Sequence, residues 1–186
     1  MSTKDIYEKY NYTSKDALKS NSWFQQQVNL LTKERININL FHKTHGDRVA
    51  LIRPGNMYMF FYDPKHKDTL QHYDSFPLVL PFEKTEDGFI GLNMHYLPYK
   101  LRFVLFDALM RFKTTKTIDD NTRLKYSWST IKSMSKHTLA EPCVKRYLIP
   151  HIKSQIKMIN PTDWSTTLML PVESFAKSKK NKVWGQ

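Results

Sequence analysis

Arg53-Pro54-Gly55-Asn56-Met57-Tyr58-Met59-Phe60-Phe61-Tyr62-Asp63-Pro64-Lys65 opens the part of the chain from which the fold class is read. Pro54-Gly55-Asn56 is turn chemistry, because proline presets φ and glycine tolerates positive φ. Met57 to Tyr62 is rich in aromatic side chains and holds no breaker, so it reads as a strand. Asp63-Pro64-Lys65 ends it, since proline has no N–H for the sheet ladder. Phe76 to Phe82 reads as a second strand, which Pro77 and Pro81 place at an edge or keep short. Glu86-Asp87-Gly88 is a hairpin turn, and Phe89-Ile90-Gly91-Leu92-Asn93-Met94 is a third strand. Three short aromatic strands joined by tight turns fit a small SH3-like β barrel or a curved antiparallel sheet.

On the N-terminal side the pattern changes. Residues 1–21 are polar, with Tyr7, Tyr10 and Tyr12, and read as an arm. Ser14 is a candidate cap for a helix running through Trp23, Phe24, Val28 and Leu31, which recur at helical spacing. Arg35 to Asp47 reads as a loop or irregular strand. On the C-terminal side, Pro98 suits a first helical turn. Leu101, Val104, Leu105, Ala108, Leu109 and Phe112 then form the cleanest amphipathic stripe of the chain. A second helix is expected after Asp119-Asp120-Asn121-Thr122, through Leu124, Trp128, Ile131 and Met134. Pro142 starts a further segment through Val144, Tyr147 and Leu148. Trp164, Thr166, Leu168 and Leu170 alternate as one face of a last strand, stopped by Pro171. The expected fold class is therefore α+β: a small SH3-like β barrel or curved antiparallel sheet with a helical C-terminal half. The expected division is an N-terminal arm and helix over 1–48, one α+β domain over 49–176, and a basic tail over 177–186. No internal repeat is present.

Charge bears most directly on function. The 186 residues hold 29 Lys and Arg against 17 Asp and Glu, a formal net charge of +12. That balance suits a phosphate-rich partner, with an acidic protein or a merely solvated surface as the alternatives. Three basic sets stand out. Lys65, His66 and Lys67 sit in a loop beside the aromatic strand. Lys132, Lys136, Lys145, Arg146, Lys153 and Lys157 lie in the C-terminal half, and Lys177, Lys179, Lys180 and Lys182 in the tail. Such loops reach phosphate while a strand holds them in place. Tyr62, His72 and Tyr73 are candidates to stack on unpaired bases, although aromatics inside the strand itself read as core. No helix-turn-helix, zinc-finger or RNP signature is present, so contact is expected with phosphate, shape or an end rather than with base edges.

Catalytic templates fail on missing residues. Cys143 is the single cysteine, which excludes an internal disulfide and a cysteine zinc cluster. It reads as a small buried hydrophobe more readily than as a nucleophile, despite Lys145 and Arg146 nearby. His42 and His45 lack further ligands at metal spacing. There is no serine elbow, phosphate-binding glycine loop or dinucleotide fingerprint. Asp63, Asp68 and Asp74 are what a metal-dependent nuclease would have to use, but their surroundings of Pro, Lys and His read as loop. No cofactor, no metal and no enzyme activity are expected. The opening residues are polar, and no run approaches the ~20 apolar residues of a membrane helix. A cytoplasm, or a particle assembled in one, is the expected setting.

Pro54-Gly55-Asn56-Met57-Tyr58-Met59-Phe60-Phe61-Tyr62-Asp63-Pro64-Lys65 also resembles a block found in a protein family of T4-like tailed bacteriophages. The resemblance continues through Tyr73-Asp74-Ser75-Phe76-Pro77-Leu78-Val79 and from Gly88 to Pro98. It returns at Pro142-Cys143-Val144-Lys145-Arg146-Tyr147-Leu148 and in the stretch from Trp164 to Trp184, covering roughly residues 53–184. The family is that of the DNA end protectors. The resemblance implies a virion-associated protein that binds the ends of linear double-stranded DNA and shields them from host exonuclease. Its implied partners are double-stranded DNA ends and phage head or portal-vertex proteins, with homo-oligomerisation left open and no membrane. Its implied places are the virion and, during infection, the host cytoplasm. The alternatives are a structural component of the neck, head vertex or baseplate, and a metal-dependent nuclease. The chain departs from the family pattern at Leu70-Gln71-His72-Tyr73-Asp74, where Leu-Pro-Tyr-Tyr-Asp is expected. The resemblance supplies no catalytic residue.

Overall fold

The computed structural model describes residues 46–48, 51–99, 101–102 and 141–185. The expected helices over 14–31 and 119–134 lie outside them. The expected helix after Pro98 begins inside them, where Leu101 and Arg102 donate their N–H groups to the Pro98 carbonyl. Its remainder lies outside.

The described residues form a six-stranded sheet and a two-stranded ribbon, and every pairing is antiparallel. The strands are β1 (Asp47–Arg48), β2 (Met57–Met59), β3 (Tyr73–Asp74), β4 (Leu78–Lys84), β5 (Gly88–Asn93), β6 (Val144–Leu148), β7 (Lys157–Ile159) and β8 (Phe175–Ala176). The large sheet runs in the order β1-β7-β2-β4-β5-β6, and β3 pairs with β8. β1 and β6 are its two edges and do not pair with each other, so the sheet is not closed into a barrel. The expected SH3-like barrel is not formed, and the strands make an antiparallel sheet.

The unbroken apolar run from Met57 follows from burial on both faces of the sheet. Met57 and Met59 point into one cluster with Leu78, Leu80 and Leu92. Tyr58 and Phe60 point into the other with Val79, Phe89 and Tyr147. In that second cluster Phe60 meets Tyr147 edge-on at 5.4 Å, and Phe89 stacks on Tyr147 at 5.4 Å. Such ring pairs contribute about 0.5–1.5 kcal/mol each beyond the area they bury.

β4 is interior by sheet order and seven residues long, which corrects the expectation that its prolines place it at an edge or keep it short. The conflict is resolved locally. β2 meets β4 only at Leu78 and Val79, so beyond them β4 is bonded on the β5 side alone. Pro81 lies there opposite Gly91, and a register shift follows between Pro81 and Glu83. A Cβ on Gly91 would come within 2.5 Å of Val79, so this crossing requires glycine. The expected hairpin after Lys84 forms, with the Thr85 N–H bonded to the Gly88 carbonyl at 3.0 Å.

Most of the helix expected for the C-terminal half lies outside the described residues, and the described residues 141–185 mix strands with short helices. After a 3-10 turn at Glu141–Cys143, the segment begun by Pro142 becomes β6, paired with β5 from Val144 to Leu148. The edge left free by β5 claims Val144 and Tyr147 as strand residues. The stretch expected as a last strand is instead a short helix, α1 (Trp164–Met169). Its burial follows the helical period: Trp164 and Leu168, one turn apart, lie in the core while Thr166 is exposed. A second short helix, α2 (Lys180–Trp184), closes the described chain, with Val183 in the core. The basic stretch 177–182 thus belongs to a packed segment.

Candidate nucleic-acid interface

The loop 64–70 follows the aromatic strand and is wound on itself. Lys67 donates its N–H to Pro64, and Thr69 and Leu70 donate theirs to His66. Lys177 fixes it from outside. Its backbone takes a left-handed φ of 65°, and its Nζ donates to the carbonyls of Lys67 at 2.6 Å, Asp68 at 2.9 Å and Leu70 at 3.3 Å. Lys67 is held by Asp63 at 3.0 Å. Lys65 and His66 remain exposed at the loop surface.

Across from this loop lies the edge strand β6, and between them is a groove of about 490 Å³. Lys65 and His66 line it on the loop side, and Lys145 and Arg146 on the β6 side. Tyr96, His72 and Tyr73 lie between. Two basic sets that are 80 residues apart in sequence therefore share one concavity.

Lys145 is half-buried, its Nζ 4.3 Å from the centre of the Tyr96 ring. Burial pushes its pKa down, and no carboxylate pairs with it among the described residues. Arg146 differs: exposed, it donates to Asp87 at 2.7 Å, a contact that lowers the Asp87 pKa and raises its own. His72 is half-buried, 5.7 Å from the Tyr96 ring and 6.3 Å from Phe175. Burial, together with Lys145 and Lys182, pushes its pKa below the ordinary 6.5, so it presents a neutral aromatic face at pH 7.

The floor of the groove is stiffened by a buried polar network. Asp74 Oδ2 lies 2.6 Å from His95 Nδ1 and accepts from Asn93 Nδ2 at 3.1 Å. Its Oδ1 accepts the N–H groups of Phe76 and Ser174, each at 3.1 Å. Burial acts to raise the Asp74 pKa, but His95 and these hydrogen bonds outweigh it and hold the carboxyl below its usual range. The His95 carbonyl in turn accepts from Arg102 and from Trp184 Nε1, at 3.2 and 2.7 Å. Arg102, fully buried, also donates to Leu97 and Leu168, lies 3.7 Å from Glu173 and has Tyr99 against its guanidinium. Glu173 accepts from Lys180 at 3.1 Å. The C-terminal segment is thereby fastened under β3, the strand that carries Tyr73.

The sequence-predicted basic residues divide by these contacts. The groove joins Lys65, His66, Lys145 and Arg146, and Lys182 is exposed within electrostatic reach of His72. Lys177 and Lys180 serve as structural donors, to the loop carbonyls and to Glu173, and Lys67 is paired with Asp63. Lys153 and Lys179 are exposed without lining the groove. Lys157 of β7 is buried. Lys132 and Lys136 lie outside the described residues. Tyr62, a candidate for stacking, is buried, and its hydroxyl accepts the Leu148 N–H. Tyr73 and His72 keep part of their surface free. Asp63, Asp68 and Asp74 do not converge, since Asp74 is enclosed and Asp63 faces Lys67. Among the described residues no three His, Cys, Asp or Glu side chains are placed to hold a metal ion. Cys143 is buried, and burial pushes its thiol up to about 12. The Asp74–His95 pair and Arg102 were missed by sequence reasoning, which had no spacing rule to bring them together.

A family model described as the phage T4 terminal DNA protecting protein matches residues 6–186. The chain belongs to that family. It is a family of DNA-protecting proteins and not of enzymes. A terminal DNA protecting protein of a phage acts on DNA during infection, which fits the host cytoplasm. No curated protein and no solved structure matches the chain. Among the described residues no helix is long and apolar enough to cross a membrane.

Proposed function

We propose that this terminal DNA protecting protein shields the ends of linear double-stranded DNA by occlusion, with the groove between the 64–70 loop and β6 turned toward the DNA. The observation that carries this reading is the convergence of Lys65 and His66 with Lys145 and Arg146 across one groove. Cations from two separate segments, held by a rigid sheet and a pinned loop, suit a phosphate backbone. The mechanism requires neither metal nor cofactor: the compact body covers the end that an exonuclease must enter. Protection inside an infected cell has the protein arriving with the DNA. We therefore place it in the virion, against the packaged ends and beside head or portal-vertex proteins.

The test is exonuclease digestion of linear duplex across a salt series. The protein should slow digestion and bind lines in preference to closed circles. Neutralising Z phosphates should make log K fall with log salt at a slope of about −0.9Z. Replacing both Lys65 and Lys182 by glutamate should flatten that slope and abolish protection. Equal affinity for circles and lines, or protection indifferent to salt, would refute the reading.

A further inference from the structure

We infer that the groove is a terminal-nucleotide site: Lys145 takes the phosphomonoester at the end of a DNA strand, and the last base lies against His72 and Tyr73. This rests on the end-protection reading for the source of the nucleotide. It goes beyond that reading in naming what is recognised.

Size is the first consideration. A volume of about 490 Å³ falls within the ~300–1,000 Å³ typical of small-ligand pockets. It suits one nucleotide and is not a channel for a duplex. The chemistry of the cations is the second. Arg146 is engaged by Asp87, and Lys67 by Asp63. Lys145 is partly desolvated, lies over the Tyr96 ring and has no carboxylate partner among the described residues. A cation so placed gains most from a bound anion, because both its desolvation and its missing partner are then offset. Asp74 also lines the groove, but its two oxygens already receive His95, Asn93, Phe76 and Ser174, so it presents no free carboxylate.

Charge distinguishes an end from an interior position. A phosphomonoester carries about −1.5 to −2 charges at pH 7, whereas a phosphodiester within a strand carries one. Lys145, faced by Lys65 and His66 across the groove, favours the more highly charged group. His72 is neutral at pH 7 and flat, and Tyr73 is half exposed, so both offer faces on which any base can stack. Such a site reads the chemistry of an end without reading sequence.

Calorimetric titration of the full chain with dithymidine bearing a 5′ phosphate, a 3′ phosphate or neither tests the assignment, and the first two show which end is held. One phosphorylated form should bind at least about tenfold more tightly than the unphosphorylated one, as expected for a charge-assisted contact. It should also compete with linear duplex. Lys145→Met keeps the packing on Tyr96 and should erase the preference. Three dinucleotides of equal affinity, or a preference that survives Lys145→Met, would overturn the assignment. Should Lys145→Met fail to fold, competition on the unmodified protein decides: a phosphorylated dinucleotide that leaves bound duplex in place refutes the site. The two readings fail separately. Protection of linear DNA without dinucleotide competition removes the pocket and leaves end protection. Phosphate-dependent dinucleotide binding without exonuclease protection does the reverse.

Discussion

Asp74→Asn isolates the network beneath the groove. The substitution keeps size and shape, so the altered oxygen alone is at issue. Oδ1 survives as an acceptor for the Phe76 and Ser174 N–H groups. At the Oδ2 position an NH₂ group would face Asn93 Nδ2, itself a donor, and His95 Nδ1, now at 3.1 and 2.6 Å from the oxygen. Both the Asp74 and the His95 side chains are fully buried, so water cannot take up the lost contacts. Two broken hydrogen bonds with buried donors, at about 1–3 kcal/mol each, cost about 2–6 kcal/mol. With a urea m-value of about 2 kcal/mol/M, the midpoint should fall by about 1–3 M. Acid provides an independent check. The folded carboxyl sits below its unfolded value of about 3.9. Its contribution is therefore fully present above that value and lost as pH falls through the folded one. In Asp74→Asn that part of the acid limb should vanish. A loss under about 1 kcal/mol with the acid limb unchanged would show that the pair does not hold β3 in place.

Two further outcomes test the interface and the core. Asp87→Ala frees Arg146 at the rim of the groove. Because the pair is solvent-exposed, the unfolding midpoint should stay where it is while affinity for linear DNA rises, as read by fluorescence anisotropy at low salt. Cys143, buried and with its thiol pushed up to about 12, should resist alkylation by iodoacetamide at pH 8 until urea unfolds the chain, as read by mass spectrometry.

The strands around Met57 and Phe89 were legible because local chemistry and tertiary fate agree: aromatic and aliphatic runs bounded by Pro and Gly become strands between two buried faces. β6 and α1 were not. Val144 to Leu148 becomes a strand because β5 offers a free edge, and that edge lies more than 50 residues upstream. Trp164 to Leu170 alternates like a strand, yet the space under the sheet accepts Trp164 and Leu168 from one side of a helical turn. The site was legible in its parts. Lys65, His66, Lys145 and Arg146 are all conspicuous in a chain of net charge +12, but nothing in their spacing places them on opposite walls of one groove. Charge counting also treats all lysines alike, whereas the fold assigns them different work. Lys177 spends its three donors on loop carbonyls, Lys180 and Lys67 neutralise carboxylates, and Lys145 is left over an aromatic ring. What makes a cation available to phosphate is the lack of a competing partner. That property arises only when the chain is folded, so a basic sequence indicates the class of ligand, while the location of the grip follows from the cations that the fold leaves unpaired.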